Sequence, residues 1–177
     1  LQAGQERRTW LLKSPGHLGT ASALFDEYPD AVVVHTHRDP QKFVGSAAST
    51  TAMLGWLRSD DIDPKRNGQI ALGGFSFMLN DVRQKRAAGT LPDGQFVDSH
   101  YLDLIEDPVA AIRKIYQQAG LAWPEGHADR ILAYLRDKPK GKFGKHAYTL
   151  AEYGLDASMV DAAYAEYVRH YDIRRES

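Results

Sequence analysis

Arg38, Lys42 and Ser46 set a guanidinium, an ammonium and a hydroxyl at four-residue intervals around the start of one helix. Asp39-Pro40 marks that start, with the aspartate as N-cap and the proline at the first helical position. A helix N-terminus already favours an anion through its free N–H groups and its dipole. A guanidinium adds two parallel bonds to a phosphate. Residues four apart share a helix face, so an arginine folded back along that face lets all three groups surround one phosphate. The competing reading is an arginine paired with Asp39 or another carboxylate, beside a solvent-facing serine. Spacing alone does not separate the two.

His17 follows the turn Ser14-Pro15-Gly16 and precedes a helix. A neutral imidazole there can take a proton from an alcohol as its oxygen attacks an electrophile; it can also simply cap its own helix. Lys13 can neutralise a leaving phosphate as a point charge, or snorkel from a strand end. His35 and His37 alternate onto one strand face. With His17 or His100 they would suggest a metal, but no carboxylate or further histidine stands at a familiar ligand spacing. Arg136, Lys138, Lys140, Lys142, Lys145 and His146 surround Gly141 and Gly144, a basic glycine-containing loop able to close over phosphates or to remain a solvated segment. The chain holds no GxxxxGK[ST] phosphate loop.

The elements that must position these residues follow from apolar period and turn signals. Trp10–Leu12 reads as a buried strand, and Leu18, Ala21, Phe25 and Tyr28 as a helical stripe stopped by Pro29. Ala31–Val34 is a β-branched run suited to a buried parallel strand. The helix opened by Asp39-Pro40 is expected to bury Phe43, Ala47, Leu54 and Leu57. Residues 60–67 read as a loop, and a long helix as running from about Gln69 to Ala88. Gln95–Ser99 reads as a third strand, Asp107-Pro108 opens a further helix ending at Gly120, and helices near 128–135 and 160–171 complete the chain. Thr149 and Glu152 form a capping box. Strands separated by helices imply a mainly parallel sheet that binds ligands beyond its carboxyl ends.

The 177 residues suit one domain, 43% are hydrophobic and 25% charged, and the formal net charge is -1. That balance gives no bulk attraction to nucleic acid or to an anionic membrane, so an anion site must be local. No apolar run approaches a membrane span. The absence of cysteine excludes disulfides and thiol chemistry and fits a reducing, cytoplasmic setting.

Taken together, KSPGHL, THRDP, Arg38 with a serine eight residues on, and His17 about twenty residues before that arginine resemble the sulfotransferases, above all their bacterial branch. The resemblance spans nearly the whole chain. It implies an α/β fold, a three-layer αβα sandwich with a mainly parallel sheet, P-loop-like and related to nucleoside kinases. It implies transfer of a sulfonyl group from 3′-phosphoadenosine 5′-phosphosulfate to a hydroxyl or amine of a small-molecule, lipid or glycan acceptor, with no metal required. It casts His17 as base and Lys13 as leaving-group partner. Arg38 and Ser46 then hold the 3′-phosphate, with Lys42 beside them from its place on the same helix face, and Tyr101 of FVDSHYLDL lies near the adenine. Lys140 and Gly141 of KGKFG form a late phosphate loop. Leu102 stands where the family places an acid, Pro139 where it places an arginine, and the family's N-terminal 5′-phosphosulfate loop has no counterpart here. Residues 1–177 are therefore expected to form a single domain that is the C-terminal part of a longer chain. Two rivals remain: an ATP-dependent phosphotransferase of the same fold, and a non-catalytic nucleotide-binding domain.

Overall fold

Two parallel strands and eight helices make up the computed structural model of the chain, which describes residues 4, 9–139, 141, 142, 144 and 147–176. Strand β1 (Val33–His37) pairs with β2 (Phe96–His100) in parallel register, Val33 opposite Phe96 and His37 opposite His100. The intervening chain carries the two longest helices, α3 (Pro40–Trp56) and α4 (Pro64–Ala87). It therefore returns to the start of the sheet before β2 begins, as a parallel pair requires. Gln95 pins that return: its amide nitrogen donates to the carbonyls of Pro29 and Ala31 at 2.9 and 2.7 Å.

Aspartate–proline pairs start three helices by one mechanism. Asp39, Asp63 and Asp107 each accept from a first-turn N–H, those of Gln41, Lys65 and Ala110, opening α3, α4 and α6 (Pro108–Gln118). A cap of this kind contributes ~1 kcal/mol. The middle pair corrects the expectation of a loop over 60–67: Pro64 is already helical, and the long helix starts five residues before Gln69. Ahead of α6 lies α5 (Tyr101–Glu106), which follows β2 directly. Two short helices, α1 (Gly16–Gly19) and α2 (Ala21–Glu27), replace the continuous helix expected after His17, with non-helical Thr20 between them.

Two further expectations fail. Trp10–Leu12 forms no strand and is solvent-exposed, Leu11 to 92%. A strand needs a partner for its backbone groups, and among the described residues the sheet consists of β1 and β2 alone. On α3, Val44, Ala48 and Ala52 are fully buried while Leu54 and Leu57 face solvent. Small residues one turn apart let α3 lie close to α4, α8 (Ala157–His170) and the loop before α8. Gly45 is part of that approach, since a Cβ there would meet the Tyr148 ring at 2.9 Å.

The main core joins Val44, Ala48 and Ala52 with Ala71 and Leu79 of α4 and with Val160, Tyr164 and Tyr167 of α8. A second cluster, Ala21, Phe25, Val82 and Leu91, packs α2 beneath the start of β1. Helix α7 (His127–Asp137) and α6 carry apolar stripes at the periphery, where Tyr116, Trp123 and His127 form an aromatic trio. Among the described residues no helix is long and apolar enough to cross a membrane. The architecture is α/β with a parallel sheet, as the sequence implied.

Candidate functional site

The parallel register brings the carboxyl ends of β1 and β2 side by side, His37-Arg38-Asp39 next to His100-Tyr101. Arg38 lies with its guanidinium 4.2 Å above the centre of the Tyr101 ring. Its Nε and one terminal nitrogen donate to the two carboxylate oxygens of Glu176 at 2.8 and 2.9 Å. This pairing raises the Arg38 pKa further, and the guanidinium stays charged. Arg38 is thus paired with a carboxylate 138 residues away. Lys42 and Ser46 sit one turn apart and half-buried on the first two turns of α3.

Asp39, only 2% exposed, caps α3 and also accepts from Arg175 at 2.9 Å and from the Glu176 backbone N–H at 3.0 Å. Arg175 reaches on to Asp161, and Arg174 bonds Asp103 and Glu106 of α5. Residues 174–176 therefore lie as a strap across the strand ends. Beneath it, between Arg38, His100, Tyr101, Arg174 and Glu176, remains a cavity of only about 10 Å³.

A buried polar chain supports Arg38 from below. Arg86 of α4 donates to both oxygens of Asp98 at 2.7 and 2.8 Å. Asp98 accepts from His37 Nε2 at 2.8 Å, and His37 Nδ1 lies 3.1 Å from the Tyr167 hydroxyl. Since the carboxylate fixes the proton on Nε2, Nδ1 accepts from the Tyr167 hydroxyl. Burial alone would raise the Asp98 pKa, but the hydrogen bonds from Arg86 and His37 outweigh it and hold the carboxyl well below its usual range. Burial lowers the pKa of His37 despite Asp98.

His35, Asp98 and His37 bring ligand-type atoms within 4.8 Å of one another. Arg86 already supplies Asp98 with the positive charge a metal would bring, so Asp98 and His37 read as a hydrogen-bonded pair within this trio. His35 is its odd member: 5% exposed, with neither ring nitrogen hydrogen-bonded among the described residues. Its pKa is lowered to about 3, first by burial and then by neighbouring His37. The unfolded chain therefore binds a proton that the folded chain refuses between about pH 6.5 and 3. Stability must fall with pH across that window. From pH 6.5 to 5 the loss from His35 is about 2 kcal/mol. Urea unfolding at pH 7 and pH 5 checks it: His35→Leu should remove most of the difference, and equal acid sensitivity in both proteins would refute the assignment.

His17 lines a second, larger cavity of about 340 Å³. Arg38, Ser14 and His35 reach the same space, and its walls are largely apolar, with Leu18, Leu24, Val33, Phe75 and Phe96 among them. Among the described residues the His17 ring makes no hydrogen bond. Lys13 is exposed in an irregular segment and does not line this cavity. Lys140 lies outside the described residues, as do Lys145 and His146; Gly141 is exposed, with a left-handed φ of +86°. The structure thus joins Arg38 to Tyr101, and His17 to a cavity that Arg38 also lines, while Lys42, Ser46, Lys13 and Gly141 line neither of the two cavities. Glu176, Asp98, Arg86 and Tyr167 were not anticipated; only the charge run Arg174-Arg175-Glu176 after the last helix offered a signal.

Residues 1–125 match the sulfotransferase family. Omega-hydroxy-beta-dihydromenaquinone-9 sulfotransferase Stf3 of Mycobacterium bovis is 26% identical over 180 residues, covering 98% of this chain and 43% of that protein. The protein of the same name from Mycobacterium tuberculosis matches equally. Among solved structures, sulfotransferase STF9 from Mycobacterium avium superposes with a TM-score of 0.83 at 29% identity, over 99% of this chain and 45% of its own. STF1 from Mycobacterium tuberculosis H37Rv gives 0.68 at 32% identity, over 90% and 40%. The chain spans less than half the length of these relatives. Likeness of this order places it on their α/β, P-loop-like architecture.

Proposed function

The chain belongs to the sulfotransferase family, and from that premise we propose that it forms the 3′-phosphate and acceptor side of an enzyme using 3′-phosphoadenosine 5′-phosphosulfate. The observation that carries this is Arg38. It sits at a strand's carboxyl end and is braced on Tyr101, and it already chelates an oxyanion through two parallel bonds. Ligands of parallel sheets bind at that end, and the α3 N-terminus behind Arg38 adds its own preference for anions.

In this reading Arg38, Lys42 and Ser46 hold the nucleotide's 3′-phosphate, and Tyr101 lies near the adenine. Gly141 belongs to a loop that, with Lys140, closes over the phosphates. His17 takes the proton of an acceptor hydroxyl. That oxygen bonds to sulfur as the bond from sulfur to the bridging phosphate oxygen breaks, and 3′-phosphoadenosine 5′-phosphate departs with the electron pair. Lys13 is the candidate to neutralise that departing charge. The apolar walls beside His17 favour an alcohol with an apolar body as acceptor. The relative named for a menaquinone derivative acts on a compound of that kind.

The test is calorimetric titration of the full-length protein with 3′-phosphoadenosine 5′-phosphate. Loss of two charge-assisted bonds should weaken binding by about 10- to 100-fold in Arg38→Ala. Equal affinity in the two proteins would sink the assignment.

A further inference from the structure

Glu176 occupies the guanidinium fork that a phosphate would need, and it does so tightly. Both carboxylate oxygens are bonded to Arg38 at 2.8 and 2.9 Å, and the side chain is only 11% exposed. The remaining cavity, about 10 Å³, holds roughly one water. A phosphate group cannot enter while Glu176 is in place. A phosphate on the other edge of Arg38 would face a fixed like charge at close range.

The strap that carries Glu176 is built to be held and released. Ile173 is buried in the core, and its N–H donates to the Val168 carbonyl at 3.0 Å, so the segment is rooted there. Beyond Ile173 the strap is held by charge pairs: Arg174 on Asp103 and Glu106, Arg175 on Asp39 and Asp161, Glu176 on Arg38. Most of these partners are substantially exposed, where ion pairs are weak and exchange easily. Lifting three residues would free Arg38 and uncover Asp39, which keeps the bond from the Gln41 N–H, while Ile173 stays in the core.

We propose that Glu176 is an internal competitor for the Arg38 anion site, a specificity element that yields only to a ligand whose phosphate displaces its carboxylate. This rests on the reading of Arg38 as the 3′-phosphate residue. A nucleotide without that phosphate has nothing with which to displace Glu176 and gains nothing from Arg38. A nucleotide with it binds at the cost of opening the strap, so its apparent affinity is reduced by the fraction of molecules in which the fork is free.

The experiment compares wild type, Glu176→Gln, Arg38→Ala and the double variant in the full-length protein. Each is titrated calorimetrically with 3′-phosphoadenosine 5′-phosphate and with adenosine 5′-phosphate. Glutamine keeps the shape and removes the charge, so the fold is retained. If the fork is closed in about nine molecules of ten, Glu176→Gln binds the 3′-phosphorylated nucleotide about tenfold tighter. Its affinity for adenosine 5′-phosphate stays unchanged, and the gain disappears when Arg38 is also replaced. Equal or weaker binding of the 3′-phosphorylated nucleotide would overturn the proposal and make Glu176 a residue that orients Arg38. A gain shared equally by adenosine 5′-phosphate would overturn it too. If neither Arg38→Ala nor Glu176→Gln alters any affinity, the nucleotide reading itself fails, an outcome distinct from failure of the competitor alone.

Discussion

Asp98→Ala is expected to lower stability by about 3 kcal/mol, seen as a large drop in the urea midpoint at pH 7. Asp98 is the acceptor on which three elements converge. Arg86 from α4 and His37 from β1 both donate to it, and it stands in the middle of β2. Its removal leaves the Arg86 guanidinium, 9% exposed, with Asp93, the Tyr171 hydroxyl and the Phe96 ring as its remaining partners. That residual pairing keeps the estimate at the low end of what breaking a buried pair costs. Even so, the loss is a sizeable share of the roughly 5–15 kcal/mol that holds a domain folded. Asp98→Asn, which keeps one acceptor and the shape, should cost about half as much. Adding Arg86→Leu to Asp98→Ala should recover part of the loss, because the stranded charge goes with it. A double variant as unstable as the sum of its singles would show that the two residues act independently.

Where local chemistry decides structure, the sequence was legible. The Asp-Pro caps at 39–40 and 107–108 mark helix starts because a carboxylate and a missing N–H suit a first turn whatever surrounds it. The same pair at 63–64 does so equally, and reading 60–67 as a loop overlooked it. The run Gln95–Ser99 matches β2 to within a residue. Burial was less legible. On α3, Leu54 and Leu57 are the larger hydrophobes, yet Ala48 and Ala52 face the core, because close helix packing selects for small side chains that hydropathy ranks low. Trp10–Leu12 carries a strand's composition, but strand pairing is a property of partners, and no strand among the described residues takes it up.

The site shows the same division. Arg38 and Tyr101 each follow a strand, so parallel register alone brings them together, and the pairing followed from motif and topology. Glu176 reaches Arg38 across 138 residues, and solvent-side charges follow no period that could announce such a contact. The Arg86–Asp98–His37–Tyr167 chain is illegible for a related reason. Its members come from α4, β2, β1 and α8, and each residue taken alone reads as an ordinary surface or core position.

His17→Ala in the full-length protein carries the other large expected effect, a fall in kcat of about 10²- to 10⁴-fold, the range for loss of a positioned general base. The ring lines the large cavity that Arg38 also reaches but not the small cavity under the strap. Nucleotide affinity should therefore stay close to wild type. That split separates a base from a binding residue, since removing a group used only in the transition state lowers kcat and kcat/KM together. Truncation leaves no described hydrogen-bond partner stranded, so a fall in rate cannot be traced to a broken network. Retention of kcat to within a few-fold would move the base elsewhere. His100, at the end of β2 and facing His37 at 5.3 Å between ring centres, is the next imidazole at the strand ends. Its own alanine variant would then have to show the same loss of turnover with nucleotide binding intact.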